Sequence, residues 1–127
     1  MKITMLLMFV TVATVGCEAK PTAAEVCAKL AGAGVAAGCK QKVPAAMNAR
    51  AKEEYVFDLV APKGKTGHVL AFEKADDYDA TVKAYEGMAM LAGSHRYGSA
   101  KARIFVQLNS EASLDTGKKA KAVVDGL

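Results

Sequence analysis

The chain has 127 residues, 52% of them hydrophobic and 24% charged, a balance that fits one globular domain and excludes both a disordered chain and two full-sized domains. Four Tyr, four Phe and no Trp predict a core of small and aliphatic side chains. The formal charge of +4, to which Lys2 contributes, is spread along the sequence without the basic stripe and interleaved aromatics of a nucleic-acid interface, so nucleic acid is excluded as a partner.

Lys2 precedes an uncharged run from Ile3 to Val15. As a helix that run would reach roughly 20 Å, short of the ~30 Å hydrocarbon core of a bilayer. Its length fits the apolar core of a secretory signal. A buried first helix of the domain is the alternative, but apart from Thr4, Thr11 and Thr14 the run has no polar face to turn to water. Thr14-Val15-Gly16-Cys17, which follows, resembles the lipobox of bacterial lipoproteins, with Thr14 standing where that motif usually has Leu, Val or Ile. The resemblance covers only the first 17 residues or so. It implies a diacylglycerol in thioether linkage to the Cys17 sulfur, cleavage before Cys17, and a further acyl chain on the new amine. It also implies that residues 1–16 are a cleaved signal and that the mature chain begins at a lipidated Cys17; residues 17–22 then read as that Cys with a short tether ending in Pro21-Thr22, and 23–127 as a single α+β domain. Glu18, in place of the Asp that often retains lipoproteins at the inner membrane, implies the outer membrane, facing the periplasm. The competing expectation is plain secretion with cleavage after Ala19, for which Cys17-Glu18-Ala19 is a poor site.

Export would place the chain in an oxidising compartment. With Cys17 set aside, Cys27 and Cys39 remain, and Gly32, Gly34 and Gly38 between them let the chain double back. A structural disulfide is the expectation. Two buried free thiols, or metal or redox chemistry, are the alternatives, although no His lies nearby and the spacing is unlike C-x-x-C.

Thr22 and Glu25 have capping-box spacing, which predicts a helix burying Ala23, Val26, Cys27, Leu30 and Ala31. Residues 40–52 read as a linker with a short helix near 45–52. Alternation through Tyr55, Phe57 and Leu59 predicts a strand, Pro62 to Gly67 a turn, and Val69 to Phe72 a second strand paired as a hairpin. Asp76, Asp77 and Asp79 mark a helix N-terminus, with Tyr78, Val82, Tyr85, Ala89 and Ala92 on one face and Gly93 as the stop. Ile104, Val106 and Leu108 predict a third strand. Ser113 caps a last helix expected to bury Leu114, Ala120, Val123, Val124 and Leu127. The expected α+β fold is a small mixed three-stranded sheet, a hairpin plus a crossover strand, with helices packed on one face and a disulfide-stapled N-terminal helix.

Gly64-Lys65-Thr66 matches the end of a P-loop, but position 59 is Leu rather than Gly and a strand follows rather than a helix. Neither His68 nor His95 has a second ligand at metal spacing, so no metal or catalytic residue is assigned and no cofactor is expected beyond the lipid on Cys17. Lys119-Ala120 with Val123 and Leu127 is similar to the last motif of OmpA-like peptidoglycan-binding domains. The upstream Asp is absent and Lys119 stands where that family has Arg, so no ligand residue is carried over. The segment 93–103 holds His95, Arg96, Tyr97, Lys101 and Arg103, donors suited to an anionic ligand or a partner contact; a solvated connection is the plainer alternative. The functional expectation is a lipid-anchored envelope protein acting as a non-catalytic binding or scaffolding module, its partner an envelope protein or an anionic envelope component. A small periplasmic enzyme using residues 93–103, or a secreted protein without an anchor, are the alternatives.

Overall fold

Thr22 caps the first helix. The computed structural model describes residues 19–88 and 95–127. The expected signal segment, the expected lipid-attachment residue Cys17, Ala89, Ala92 and the expected stop at Gly93 lie outside the described residues. Helix α1 spans Ala23–Gly32, and the Glu25 N–H donates to Thr22 Oγ1 at 3.1 Å, which satisfies one of the amide groups a helix start leaves unpaired. Ala23, Val26, Cys27 and Leu30 are buried; Ala31, at the margin of that stripe, is exposed, contrary to expectation. Gly34, at φ +80°, reverses the chain. Its N–H donates to the Ala31 carbonyl and that of Val35 to Leu30, the paired bonds of a Schellman stop.

Five strands follow: β1 Ala36–Lys42, β2 Glu53–Leu59, β3 Thr66–Ala71, β4 Arg96–Ser99 and β5 Ile104–Leu108. A 3-10 turn, Ala46–Asn48, sits where a short helix was expected. Helix α2, Ala75–Gly87, lies between β3 and β4, and α3, Leu114–Asp125, follows β5. The sheet order is β1-β2-β3-β5-β4, with every neighbouring pair antiparallel. The β2–β3 hairpin is as expected, and Thr66 opens a strand rather than a P-loop helix.

The expected mixed three-stranded sheet is corrected to an antiparallel five-stranded one, and one omission explains the change of sense. The chain does cross over through α2, but it lands in β4 at the far edge. It then turns back into β5, which fills the place beside β3. Adding β4 reverses the direction of β5. The other missed strand, β1, is Ala-Ala-Gly-Cys-Lys-Gln-Lys, an edge segment without apolar alternation, read as part glycine turn and part linker. Its register with β2 shifts between Ala37 and Lys40, where Gly38 takes φ +61°. The Cys27–Cys39 disulfide, with Cα atoms 6.2 Å apart, fastens it to α1.

The helices also occupy both faces of the sheet rather than one. On one side α1 and α3 pack through Val26, Leu30, Ala120 and Val124 onto Phe57, Val69, Ile104, Val106 and Leu108. On the other, α2 packs Tyr78 and Tyr85 onto Leu70, Phe72 and Phe105. Strand side chains alternate between faces, and Leu70 and Phe105 fall between the residues that feed the first core. The last helix starts as expected, with the Thr116 N–H donating to Ser113 Oγ at 3.1 Å. Leu114, expected inside, is 80% exposed because it leads the first turn before the helix meets the sheet. Val123 and Leu127 are half-buried at the edge of that core.

Candidate functional site

Helix α2 covers only part of its face of the sheet. Its tyrosines lie over the row that contains Leu70, Phe105 and Gly98. The adjacent row in register on the same face runs Lys40, Val56, His68, Gln107 and Arg96. Val56, His68, Gln107 and Arg96 are half-exposed and Lys40 is exposed. A polar strip is thus left open beside the helix.

Behind that strip stands Glu54, 1% exposed. Alternation along β2 explains its position: Tyr55, Phe57 and Leu59 turn toward α1 and α3, so Glu54 must turn toward α2. A buried carboxylate needs hydrogen-bonded partners to offset its lost hydration. His68 Nδ1 lies 3.0 Å from Glu54 Oε2, and the Asn48 side-chain amide donates to both carboxylate oxygens at 3.4 Å. The Tyr85 hydroxyl donates to Asn48 Oδ1 at 2.5 Å. One network therefore joins the 3-10 turn, β2, β3 and α2. A His68 tautomer with Nδ1–H donates to Glu54 and leaves Nε2 as an acceptor. Its side chain is 30% exposed, but among the described residues no hydroxyl or thiol is hydrogen-bonded to it. The geometry orients an imidazole without presenting a nucleophile for it to activate. Glu54, Asn48 and Tyr85 as a network supporting His68 were not anticipated. The available signal was a Glu in the inward phase of a strand that faces helices on both sides.

The five residues expected to share an anion contact are separated by the β4–β5 hairpin. His95, 6% exposed, packs toward α3 with Nδ1 3.0 Å from the Tyr97 hydroxyl. Gly117 makes the room: a Cβ there would stand 2.4 Å from the Tyr97 hydroxyl and 2.7 Å from His95 Nδ1. Burial pushes the Tyr97 phenol above its ordinary value, with nearby Lys121 opposing the shift. Arg96 points to the other face, into a cavity of about 300 Å³ lined with Tyr78, Val82, Glu86, Gly98 and Phe105. Its Nε is buried without a hydrogen-bond partner among the described residues. Lys101 is exposed in the turn, and its carbonyl accepts from Lys20 Nζ at 2.7 Å. Arg103, at φ +53°, donates to the Glu73 carbonyl. The hairpin thus brings His95 and Tyr97 together, leaves Arg96 on the opposite face, and carries Lys101 and Arg103 to the end of the sheet, where Lys101 lies beside Lys20 and Pro21.

Among the described residues no group of three or more His, Cys, Asp or Glu is placed to hold a metal ion. No helix among them is long and apolar enough to cross a membrane. The chain matches no family model, no curated protein and no solved structure.

Proposed function

We propose that the protein is a lipid-anchored cell-envelope protein whose α+β domain is a non-catalytic binding module. Cys17 carries a diacylglycerol and an N-acyl chain, and the anchor lies in the outer membrane, facing the periplasm. The observation that carries the reading is the pairing of Cys27 with Cys39. It accounts for two of the three cysteines and leaves Cys17 as the unpaired sulfur behind Thr14-Val15-Gly16. A disulfide also suits an oxidising compartment, and two or more acyl chains make attachment stable.

Arg96 is the residue of the 93–103 segment best placed to meet an anionic envelope component, since its guanidinium lines a cavity and its Nε has no acceptor among the described residues. An enzyme working through this segment is the weaker reading, because His95 and Arg96 face opposite sides of the sheet. Intact mass of the mature protein tests the anchor: the chain should begin at Cys17 and carry acyl mass, and Cys17→Ala should release it from membranes. A mature chain beginning at Lys20 without acyl mass refutes the anchor. Arg96→Ala tests the binding half, with retention on isolated envelope fractions expected to fall about tenfold, the loss of one charge-assisted contact; unchanged retention removes the anion contact.

A further inference from the structure

Cys17 stands two residues before Ala19, so at most about 7 Å of chain separates them. A lipid on Cys17 therefore fixes which end of the domain meets the bilayer. Beyond Ala19, Lys20 Nζ bonds the Lys101 carbonyl in the β4–β5 turn, and Thr22 already caps α1. Lys20 and Thr22 thus both engage the domain.

The end it selects can be read from the strand register. Glu53 pairs with Ala71, Ala71 with Ile104, Ile104 with Ser99, and Lys42 with Glu54. The β1 exit, β2 entry, β3 exit and β4–β5 turn therefore share the end of the sheet that holds the tether. Six cationic residues lie there: Lys20, Lys42, Lys52, Lys74, Lys101 and Arg103, opposed by Glu53, Glu73 and Asp76, with Glu18 between Cys17 and Ala19 in the sequence. Arg50 is already paired with Asp77 at 3.3 Å. Beside Lys42 in the same end, Val43 is 82% exposed. At the opposite end, Lys65 is paired with Glu111 at 3.0 Å and Lys119 with Asp115 at 3.2 Å.

We propose that this end of the sheet docks on an anionic phospholipid bilayer, its lysines among the headgroups and Val43 at the interface. The proposal rests on the lipid anchor at Cys17. Juxtamembrane cations are drawn to anionic lipid over about a Debye length, and an anchor two residues away holds them within that range. A short acyl tether and a basic end thus act on the same surface and set the strands upright on the membrane. Arg96 begins β4, the strand that ends in the membrane-facing turn, so its cavity is carried away from the bilayer.

The test uses the acylated full-length product, reconstituted in phosphatidylcholine vesicles with and without one quarter phosphatidylglycerol. Lysine acetylation by a water-soluble reagent is read by mass spectrometry, and acyl mass on Cys17 is measured in the same sample. Lys42, Lys52 and Lys101 should label at least threefold more slowly on the phosphatidylglycerol vesicles, with Lys63 and Lys118 at the far end unchanged. High salt should remove the difference. Equal labelling of both ends on acylated protein overturns the docking and leaves the anchor standing. Absence of acyl mass on Cys17 overturns the anchor and the docking with it.

Discussion

Asn48 connects a carboxylate and a phenol that burial alone would disfavour. Its amide donates to Glu54 and its carbonyl oxygen accepts from Tyr85. Asn48→Ala leaves the carboxylate with fewer donors inside the fold, and an unsatisfied buried polar group costs about 1–3 kcal/mol. Urea unfolding should show a loss of that size; a midpoint equal to wild type would mean the network contributes nothing. Gly117 poses the opposite problem. Ala at an open helical site would gain about 1 kcal/mol, but here its methyl would meet the Tyr97 hydroxyl and the His95 ring. Overpacking of this kind costs about 1–3 kcal/mol, so Gly117→Ala should be net destabilising in thermal unfolding. A gain in stability would show that the two rings move aside freely.

At the scale of elements, β1 depends most on a covalent bond. It is an edge strand with six of its seven residues exposed or half-exposed, so side-chain burial does little to hold it. The disulfide compensates by closing a loop with a sequence separation of 12 residues, worth about 3 kcal/mol. Cys39→Ala should lower stability by about that amount. Amide exchange in β1 should accelerate more than in β3, which is paired on both sides. Uniform acceleration through the sheet would place the effect of the bond outside β1. The terminal helices need no such device, since α1 and α3 have side-chain caps from Thr22 and Ser113 and apolar faces on a shared core.

At the scale of the whole molecule, the described residues form two cores on one sheet, and phenols lie at both. Desolvation by burial pushes Tyr78, Tyr85 and Tyr97 above the ordinary value of 10.0. Asp79 and Glu86 add to the shift at Tyr78. At Tyr85 the Asn48 hydrogen bond opposes it and Glu54 adds to it. Below pH 10 folded and unfolded chains both keep these protons, and stability does not depend on them. As pH rises through the folded values, the unfolded chain has already released its protons, so stability is lost with rising pH. Tyrosinate absorbance of the native chain should therefore lag that of the chain in denaturing urea; coincident curves would contradict the burial.

The sequence by itself determined the parts governed by local physics. Helix starts follow from hydroxyl caps at Thr22 and Ser113, the β2–β3 hairpin from alternation and turn residues, and the disulfide from two cysteines flanking a glycine-rich reversal. Tertiary structure alone decided the sense of the sheet and the use of both its faces. The strands β1 and β4 lack the alternation that marks a half-buried strand, because one is an exposed edge and the other is cut short by a turn. Their pairing energy comes from neighbours distant in sequence. It likewise decided that Glu54 is inside, since the phase of β2 assigns it a face but only α2 and Asn48 enclose it. The dispersal of His95, Arg96, Tyr97, Lys101 and Arg103 has the same origin: residues close in sequence part company when a hairpin sends alternate side chains to opposite faces.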